Sequence, residues 1–366
     1  MTGEQVLVTG VNGFIGRHMA QYLLERHMTV WGMGRSRISA LCHPKFFYTP
    51  CDLGDPDAIF SWMSQHDVQY IIHLSAETAI GRADSPFDAV NVNCMGTLRL
   101  LEAVRLKPDR HVKGILLAGS ALEDGVPCSV YGWSKRLSTT IGQMYAQLYG
   151  LPVVIARTFN VIGPGATAGV APSLARQLAE MEQGLRPLRL VVGNLELARD
   201  FIDVRDVVRA YWLLLTAATF QPGEVFHVAS GTARRIGDMV EVFRRHAQCP
   251  FEVTVDPALF RPGEPLAIRG DNGKLRQATG WQPQWTFEQS VLDVLNDARH
   301  RLHSSVRSSS DEKRGEMGVE SDDDPRNPAR VDPAQSHHPQ IGPLGRPAHS
   351  RAHGAERPSE VEGHLF

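Results

Sequence analysis

The chain has 366 residues, of which 42% are apolar and 21% charged, with a net charge of −2. That length supports a large core, and the composition is that of a globular protein rather than a disordered or fibrous one. The near-neutral balance excludes a general electrostatic hold on nucleic acid or an anionic membrane, although local arginines can still bind one small anion.

The cysteines Cys42, Cys51, Cys94, Cys128 and Cys249 are odd in number and form no C-x-x-C pair. This fits reduced thiols rather than a disulfide framework or a zinc site. No basic and apolar leader precedes the strand-like run at residues 5–9, and no apolar stretch reaches the roughly 20 residues of a spanning helix. A cytoplasmic protein is expected.

In chain order, Val6-Leu7-Val8 forms an apolar run, a glycine-rich turn follows, and Phe14, Ile15, Met19 and Leu23 then recur at helical spacing. Further apolar runs lie at 29–33, 46–48, 70–74, 115–118 and 153–156, separated mostly by amphipathic segments. Continuous apolar strands alternating with helices predict a doubly wound α/β fold with a parallel sheet buried on both faces. Beyond Gly163, helices are expected at 172–182, 204–215, 236–246 and 287–301, with strands at 188–192 and 225–228. The expected organisation is a dinucleotide-binding core over 1–165, then a smaller substrate lobe over 166–302, interleaved with the last strands of the sheet. From 303 to 366 the chain is rich in Ser, Asp, Pro, Arg and His and poor in aromatics. Such a tail is expected to be disordered, and His337-His338 reads as two solvated histidines rather than a metal site.

The turn Gly10-Val11-Asn12-Gly13-Phe14-Ile15-Gly16 sits between the first strand and the first helix. Gly10 permits the tight turn, Gly13 lets backbone approach a pyrophosphate, and Gly16 lets the helix pack close to the sheet. At the end of the second strand, dinucleotide sites that take NAD carry an acidic residue for the ribose 2′-hydroxyl. Here the sequence is Gly34-Arg35-Ser36-Arg37, with no carboxylate. Arg35 and Ser36 suit a 2′-phosphate instead, so NADP(H) is favoured over NAD(H).

Tyr131-Gly132-Trp133-Ser134-Lys135 opens a long helical segment, with Tyr and Lys on one face at i and i+4. An ammonium and an oxidised nicotinamide near the phenol both favour the phenolate, so Tyr131 can exchange a proton with an alcohol or carbonyl oxygen. Ser120, just past the fifth strand, is placed to hydrogen-bond the same oxygen.

The glycine turn, Asp52-Leu53, His73-Leu74-Ser75-Ala76, Asn93 with Gly96-Thr97, Ser120, Tyr131/Lys135 and Arg199-Asp200-Phe201 together resemble the extended short-chain dehydrogenase/reductase family, over roughly residues 5–300. The resemblance implies Asp52 and Leu53 at the adenine, Leu74, Ser75 and Ala76 along the cofactor, Asn93 in the cofactor site, and Ser120, Tyr131 and Lys135 as the catalytic triad. Within the family, residues 157–165, 175–177, 181–184 and 192–201 resemble the GDP-4-keto-6-deoxy-D-mannose reductases. That implies Asn160 and Arg199 facing a sugar nucleotide, with Arg261 and Glu264 near its phosphates and ribose. The segment between Ser120 and Tyr131 is shorter than is usual in the family, so the loop over the sugar is expected to differ. Ser75 replaces a more usual Ala.

Family dehydratases carry an acidic residue just after the catalytic Ser or Thr, and epimerase/reductases acting at C3 and C5 a cysteine. Ala121 and Leu122 stand here, and Glu123 and Asp124, one residue further on, are expected to cap a surface turn. The expected reaction is hydride transfer to the C4 ketone of a nucleotide-linked 4-keto-6-deoxy sugar. An NAD-dependent 4-epimerase and a non-catalytic NADP-sensing protein are the alternatives. In relatives, the Tyr/Lys helix and the helix before it form a four-helix dimer contact. Val90, Leu98, Leu101 and Val104 on the first helix, with Leu137, Ile141, Met144, Tyr145 and Leu148 on the second, exceed one buried stripe. A homodimer is expected.

Overall fold

The computed structural model describes residues 3–316 apart from 56, 79–84, 108–110, 126, 218 and 262. The chain runs β1 (Gln5–Thr9), α1 (Phe14–Leu24), β2 (Thr29–Gly34), β3 (Phe46–Pro50), α2 (Ala58–Gln65), β4 (Tyr70–His73), α3 (Pro86–Ala89). A π-helical stretch (Val90–Met95) then leads into α4 (Gly96–Leu106), followed by β5 (Gly114–Ser120), a 3₁₀ turn (Ala121–Glu123), α5 (Val130–Tyr149), β6 (Val153–Thr158) and β7 (Asn160–Ile162). The remainder is α6 (Val170–Glu182), β8 (Arg189–Val192), β9 (Ala198–Asp203), α7 (Val204–Thr216), β10 (Glu224–Val228), β11 (Ala233–Arg235), α8 (Ile236–His246), β12 (Glu252–Val255), β13 (Ala267–Ile268), α9 (Gly273–Thr279) and α10 (Phe287–Glu316).

Seven strands form one sheet in the order β10-β6-β5-β4-β1-β2-β3, and each neighbouring pair is parallel. Successive side chains of a strand point to opposite faces, and both faces here are apolar. Val6 and Val8 join α1 and α7 through Met19, Leu23 and Tyr211. Leu7 and Ile71 face the other way, onto α2, α4 and α5 through Met63, Leu100 and Tyr145. Burial on both faces explains why these strands read as unbroken apolar runs. A third core, built from Leu178, Met239, Phe243 and Leu295, joins α6, α8 and α10. Two small sheets pair β9 with β7, β11 and β13, and β8 with β12. After that excursion β10 returns to the edge of the large sheet beside β6.

Most expected boundaries shift by a residue or two, and two of the differences bear on the site and the tail. The ladder between β5 and β6 continues through Gly119↔Arg157 and Ser120↔Thr158, so Ser120 ends its strand rather than following it. The last helix, expected to stop near residue 301, runs to Glu316, into the segment expected to be disordered. Val291, Val294, Leu295, Ala298 and Leu302 pack its apolar stripe against the third core, and helical backbone propagates at little cost per residue once nucleated. The rest of the tail, including His337-His338, lies outside the described residues.

A chain of polar contacts crosses the sheet beneath the glycine turn. Thr9 Oγ1 lies 2.8 Å from His73 Nδ1, and His73 Nε2 lies 3.1 Å from Thr97 Oγ1. Thr97 spends its hydroxyl proton on the Asn93 carbonyl, at 2.6 Å. It must therefore accept from His73 Nε2–H, which leaves Nδ1 to accept from Thr9. The Thr9 oxygen in turn accepts from the backbone N–H groups of Leu74 and Ser75. Only a neutral imidazole satisfies this arrangement. Burial, reinforced by the charge of Lys135, pushes His73 down from 6.5 to about 3.

The unfolded chain binds this proton near pH 6.5, whereas the native ring refuses it until about 3. The stability His73 supplies is thus complete above pH 6.5 and is lost as pH falls from there towards 3. Unfolding free energies of wild type and His73→Gln, measured by denaturant titration across that window, should diverge with a slope of up to about 1.4 kcal/mol per pH unit. Parallel curves would show that His73 is not held neutral.

Candidate active site and cofactor cleft

Gly10 has φ +68°, a left-handed conformation that a side chain would strain, and Gly13 N–H donates back to its carbonyl at 2.9 Å. A Cβ at Gly16 would stand 2.2 Å from the Gly10 carbonyl oxygen, so α1 approaches the turn as closely as backbone permits. Gly13 is the N-cap of α1, and the helix therefore opens its unpaired N–H groups at the turn.

This turn forms one wall of a cleft of about 480 Å³. Gly10, Asn12, Gly13, Phe14, Ile15 and Gly16 line it, together with Arg35, Ser36, Asp52, Leu53, Leu74, Ser75 and Ala76. Asn12 Nδ2 donates to the Tyr48 hydroxyl at 3.2 Å and to the Ile38 carbonyl at 3.1 Å. The Tyr48 hydroxyl also lies 3.1 Å from the Gly34 carbonyl and 2.6 Å from that of Ser36. These contacts shape the loop that carries Arg35. A deep, glycine-lined cradle beside a helix N-terminus, with an arginine at its far lip, fits a phosphorylated dinucleotide.

At the other end of the same cleft lie Ser120, Tyr131 and Lys135. Ser120 ends β5, while Tyr131 and Lys135 occupy the first turns of α5, whose N-cap Ser129 accepts from Gly132 N–H at 3.0 Å. Burial pushes the Tyr131 phenol up to about 12, against a hydrogen bond with Ser120 that lowers it, while the Glu123 carboxylate raises it further. Burial lowers the Lys135 ammonium, and Glu123 partly offsets that. In this state burial keeps the Tyr131 phenol protonated.

The other expected residues divide. Asn93 is not among the cleft-lining residues: its Oδ1 accepts from Glu77 N–H at 2.7 Å, and its Nδ2 reaches the Glu77 carbonyl at 3.1 Å and Ser134 Oγ at 2.8 Å. It ties the segment after β4 to α5. Asn160 is exposed and does not line the cleft, whereas Thr158, Phe159 and Val161 beside it do. Arg199 is buried and pairs with Glu264 at 2.7 Å, and Arg261 is exposed nearby in sequence. None of these three lines the cleft.

Glu123 corrects the sequence reading. It caps the turn after Ser120, but the turn is interior and the carboxylate is fully buried. Arg157 Nε donates to it at 2.8 Å and Thr139 Oγ1 at 2.8 Å, and Ser120 N–H reaches it at 3.3 Å. Arg157 also meets Asp124 at 2.5 Å. An arginine on the neighbouring strand draws the acid inward, away from the cleft. Tyr211 is the lining residue that sequence reasoning missed most completely. It sits in mid-helix on α7 with its hydroxyl 2.6 Å from Thr158 Oγ1, and its apolar neighbours gave no sign that it reaches the site.

Residues 6–229 match the model of the NAD dependent epimerase/dehydratase family. The chain belongs to that family. It is 33% identical over 318 residues to a GDP-6-deoxy-D-mannose reductase from Pseudomonas aeruginosa, covering 82% of this chain and 98% of the relative. A GDP-mannose 4,6-dehydratase from Yersinia enterocolitica is 27% identical over 350 residues, covering 80% of this chain and 93% of that protein. The solved structure of RMD from Pseudomonas aeruginosa in complex with NADPH superimposes with a TM-score of 0.68 at 31% identity, over 82% of this chain and 99% of that one. These relatives make the chain an NAD(P)-dependent nucleotide-sugar enzyme of the short-chain dehydrogenase/reductase type.

The raised phenol can be read directly. Alkaline titration of the cofactor-free protein, with Tyr131→Phe subtracted, should reveal one phenol ionising near 12. Phenolate already present at neutral pH would overturn the view that burial governs Tyr131.

Proposed function

We propose that this family member is an NADPH-dependent reductase acting on the C4 ketone of a GDP-linked 4-keto-6-deoxy-hexose. One observation carries the choice of reaction. Among the described residues lining the cleft, the only carboxylate is Asp52, and Glu123, the acid nearest Ser120 in sequence, is turned away to Arg157. Eliminating a C6 hydroxyl requires an acid/base group beside that hydroxyl, whereas reducing a ketone requires only a hydride and one proton. The similarity to a GDP-6-deoxy-D-mannose reductase and to an NADPH complex favours the same reading.

On this reading the glycine turn and the N-terminus of α1 hold the pyrophosphate, Asp52 and Leu53 the adenine end, and Arg35 with Ser36 the 2′-phosphate. Leu74, Ser75 and Ala76 run along the cofactor, and Asn93 fixes their segment from behind. The bound nicotinamide supplies the hydride to the carbonyl carbon. Ser120 hydrogen-bonds the carbonyl oxygen and orients it. Tyr131 gives its phenolic proton to that oxygen as charge develops there, and Lys135 stabilises the phenolate left behind. The phenol is restored by a proton from solvent. Asn160 and Arg199 face the sugar nucleotide, with Arg261 and Glu264 near its phosphates and ribose.

Mixing the enzyme and NADPH with GDP-, dTDP-, CDP- and UDP-linked 4-keto-6-deoxy sugars should consume NADPH fastest with the GDP sugar. Inversion at C4 without net NADPH consumption would establish the epimerase instead. Tyr131→Phe should lower kcat by about 10²- to 10⁴-fold while leaving cofactor binding intact. Activity within a few-fold of wild type would remove Tyr131 from the proposed role.

We also infer a homodimer. Of the apolar positions on the two helices, Leu101, Val104 and Tyr145 are consumed by the core, while Val90, Leu137, Met144 and Leu148 are exposed. Two copies meeting about a two-fold axis would cover the exposed set with itself. Light scattering at micromolar concentration should give the dimer mass for wild type and the monomer mass for Met144→Glu. A monomeric wild type refutes the inference.

A further inference from the structure

The loop after β2 carries Arg35 and no acid, yet Arg35 is not without a carboxylate. Its Nη2 lies 3.3 Å from Glu77 Oε2, a group supplied by the segment after β4. Glu77 is set at a defined point of that segment, because its N–H and its carbonyl are both bonded by the buried side chain of Asn93. Both flanking residues, Ala76 and Thr78, line the cleft, as does Arg35. The pair therefore spans the lip of the cleft at the arginine that the proposed function gives to the 2′-phosphate.

We propose that Glu77 sets the balance between the two nicotinamide cofactors by competing with the 2′-phosphate for Arg35; the inference rests on NADP(H) being read at Arg35. The Arg35 side chain is 62% exposed and that of Glu77 28%. A solvated pair of this kind favours its closed form by no more than about fivefold. A charge-assisted contact between arginine and phosphate contributes roughly ten- to hundredfold. NADPH therefore displaces the carboxylate, but binds several-fold more weakly than it would to an unoccupied arginine. NADH carries no phosphate, leaves the pair closed and loses nothing. Glu77 thus narrows a preference that Arg35 alone would make wide.

The test is equilibrium titration of NADPH and NADH, without substrate, into wild type, Glu77→Gln, Arg35→Ala and the double variant. Glu77→Gln keeps the size of the side chain and leaves the backbone bonds to Asn93 in place. It should tighten NADPH about three- to fivefold and leave NADH unchanged, and the gain should shrink at high ionic strength. In the Arg35→Ala background the gain should vanish. A gain that persists without Arg35, or that is shared by NADH, overturns the competition. A silent Glu77→Gln beside a selective Arg35→Ala loss overturns it while leaving the cofactor reading intact. Equal loss of both cofactors in Arg35→Ala overturns the cofactor reading itself, and this inference with it.

Discussion

The cleft depends on the hydrogen-bond chain that runs from Thr9 through His73 and Thr97 to Asn93 and on to Ser134. It fastens the strand that feeds the glycine turn to the helix that carries Tyr131 and Lys135. The sheet ladder from β1 through β4 to β5 joins the glycine turn to Ser120, and this chain of side chains adds a directed link on to α5, where apolar packing fixes volume better than it fixes direction. Each member is buried, so each unmade bond would cost the full desolvation of a polar group. That penalty makes the chain an all-or-none spacer between the glycine-turn end of the cleft and the end that holds Tyr131. Lys135, one turn beyond Tyr131, helps to keep the histidine neutral.

Behind Ser120 the electrostatics are arranged to keep the Glu123 carboxylate out of the cleft. Glu123 is neutralised by Arg157, and Arg157 is shared with Asp124. His227, on the adjoining edge strand, lies within 3.9 Å of Asp124 and is itself lowered by burial. The cluster holds the acid behind Ser120 and leaves the Ser120 side chain, not a carboxylate, lining the cleft. Ser120 is thereby held by a charged partner through its N–H, while its hydroxyl faces Tyr131.

The fold was legible because the large sheet is buried on both faces, so its strands read as plain apolar runs, and α8 begins and ends where its amphipathic pattern does. The glycine turn and the Tyr/Lys pair were legible because their chemistry requires fixed short spacings. What was not legible depends on partners distant in sequence. Glu123 looks like a surface cap until Arg157 arrives from the next strand. Asn160 is exposed and lies outside the cleft lining, while Thr158, Phe159 and Val161 beside it line the cleft. Tyr211 reaches the site only because α7 crosses beneath β6, which local sequence does not encode.

The π-helical stretch from Val90 to Met95 bears on how this chain can vary in length. Such a turn holds one residue more than an α-helical turn. Removing that residue would restore ordinary helix while the segments on either side kept their directions, because the wide turn absorbs the extra residue locally. Asn93, inside the wide turn, would lose its place against Glu77 and Ser134, while Gly96 beyond it would stay packed on Leu53. Surface connections elsewhere in the molecule can gain or lose residues and keep the cleft. This segment has a fixed count, and insertions or deletions in descendants of this sequence should stop on either side of it.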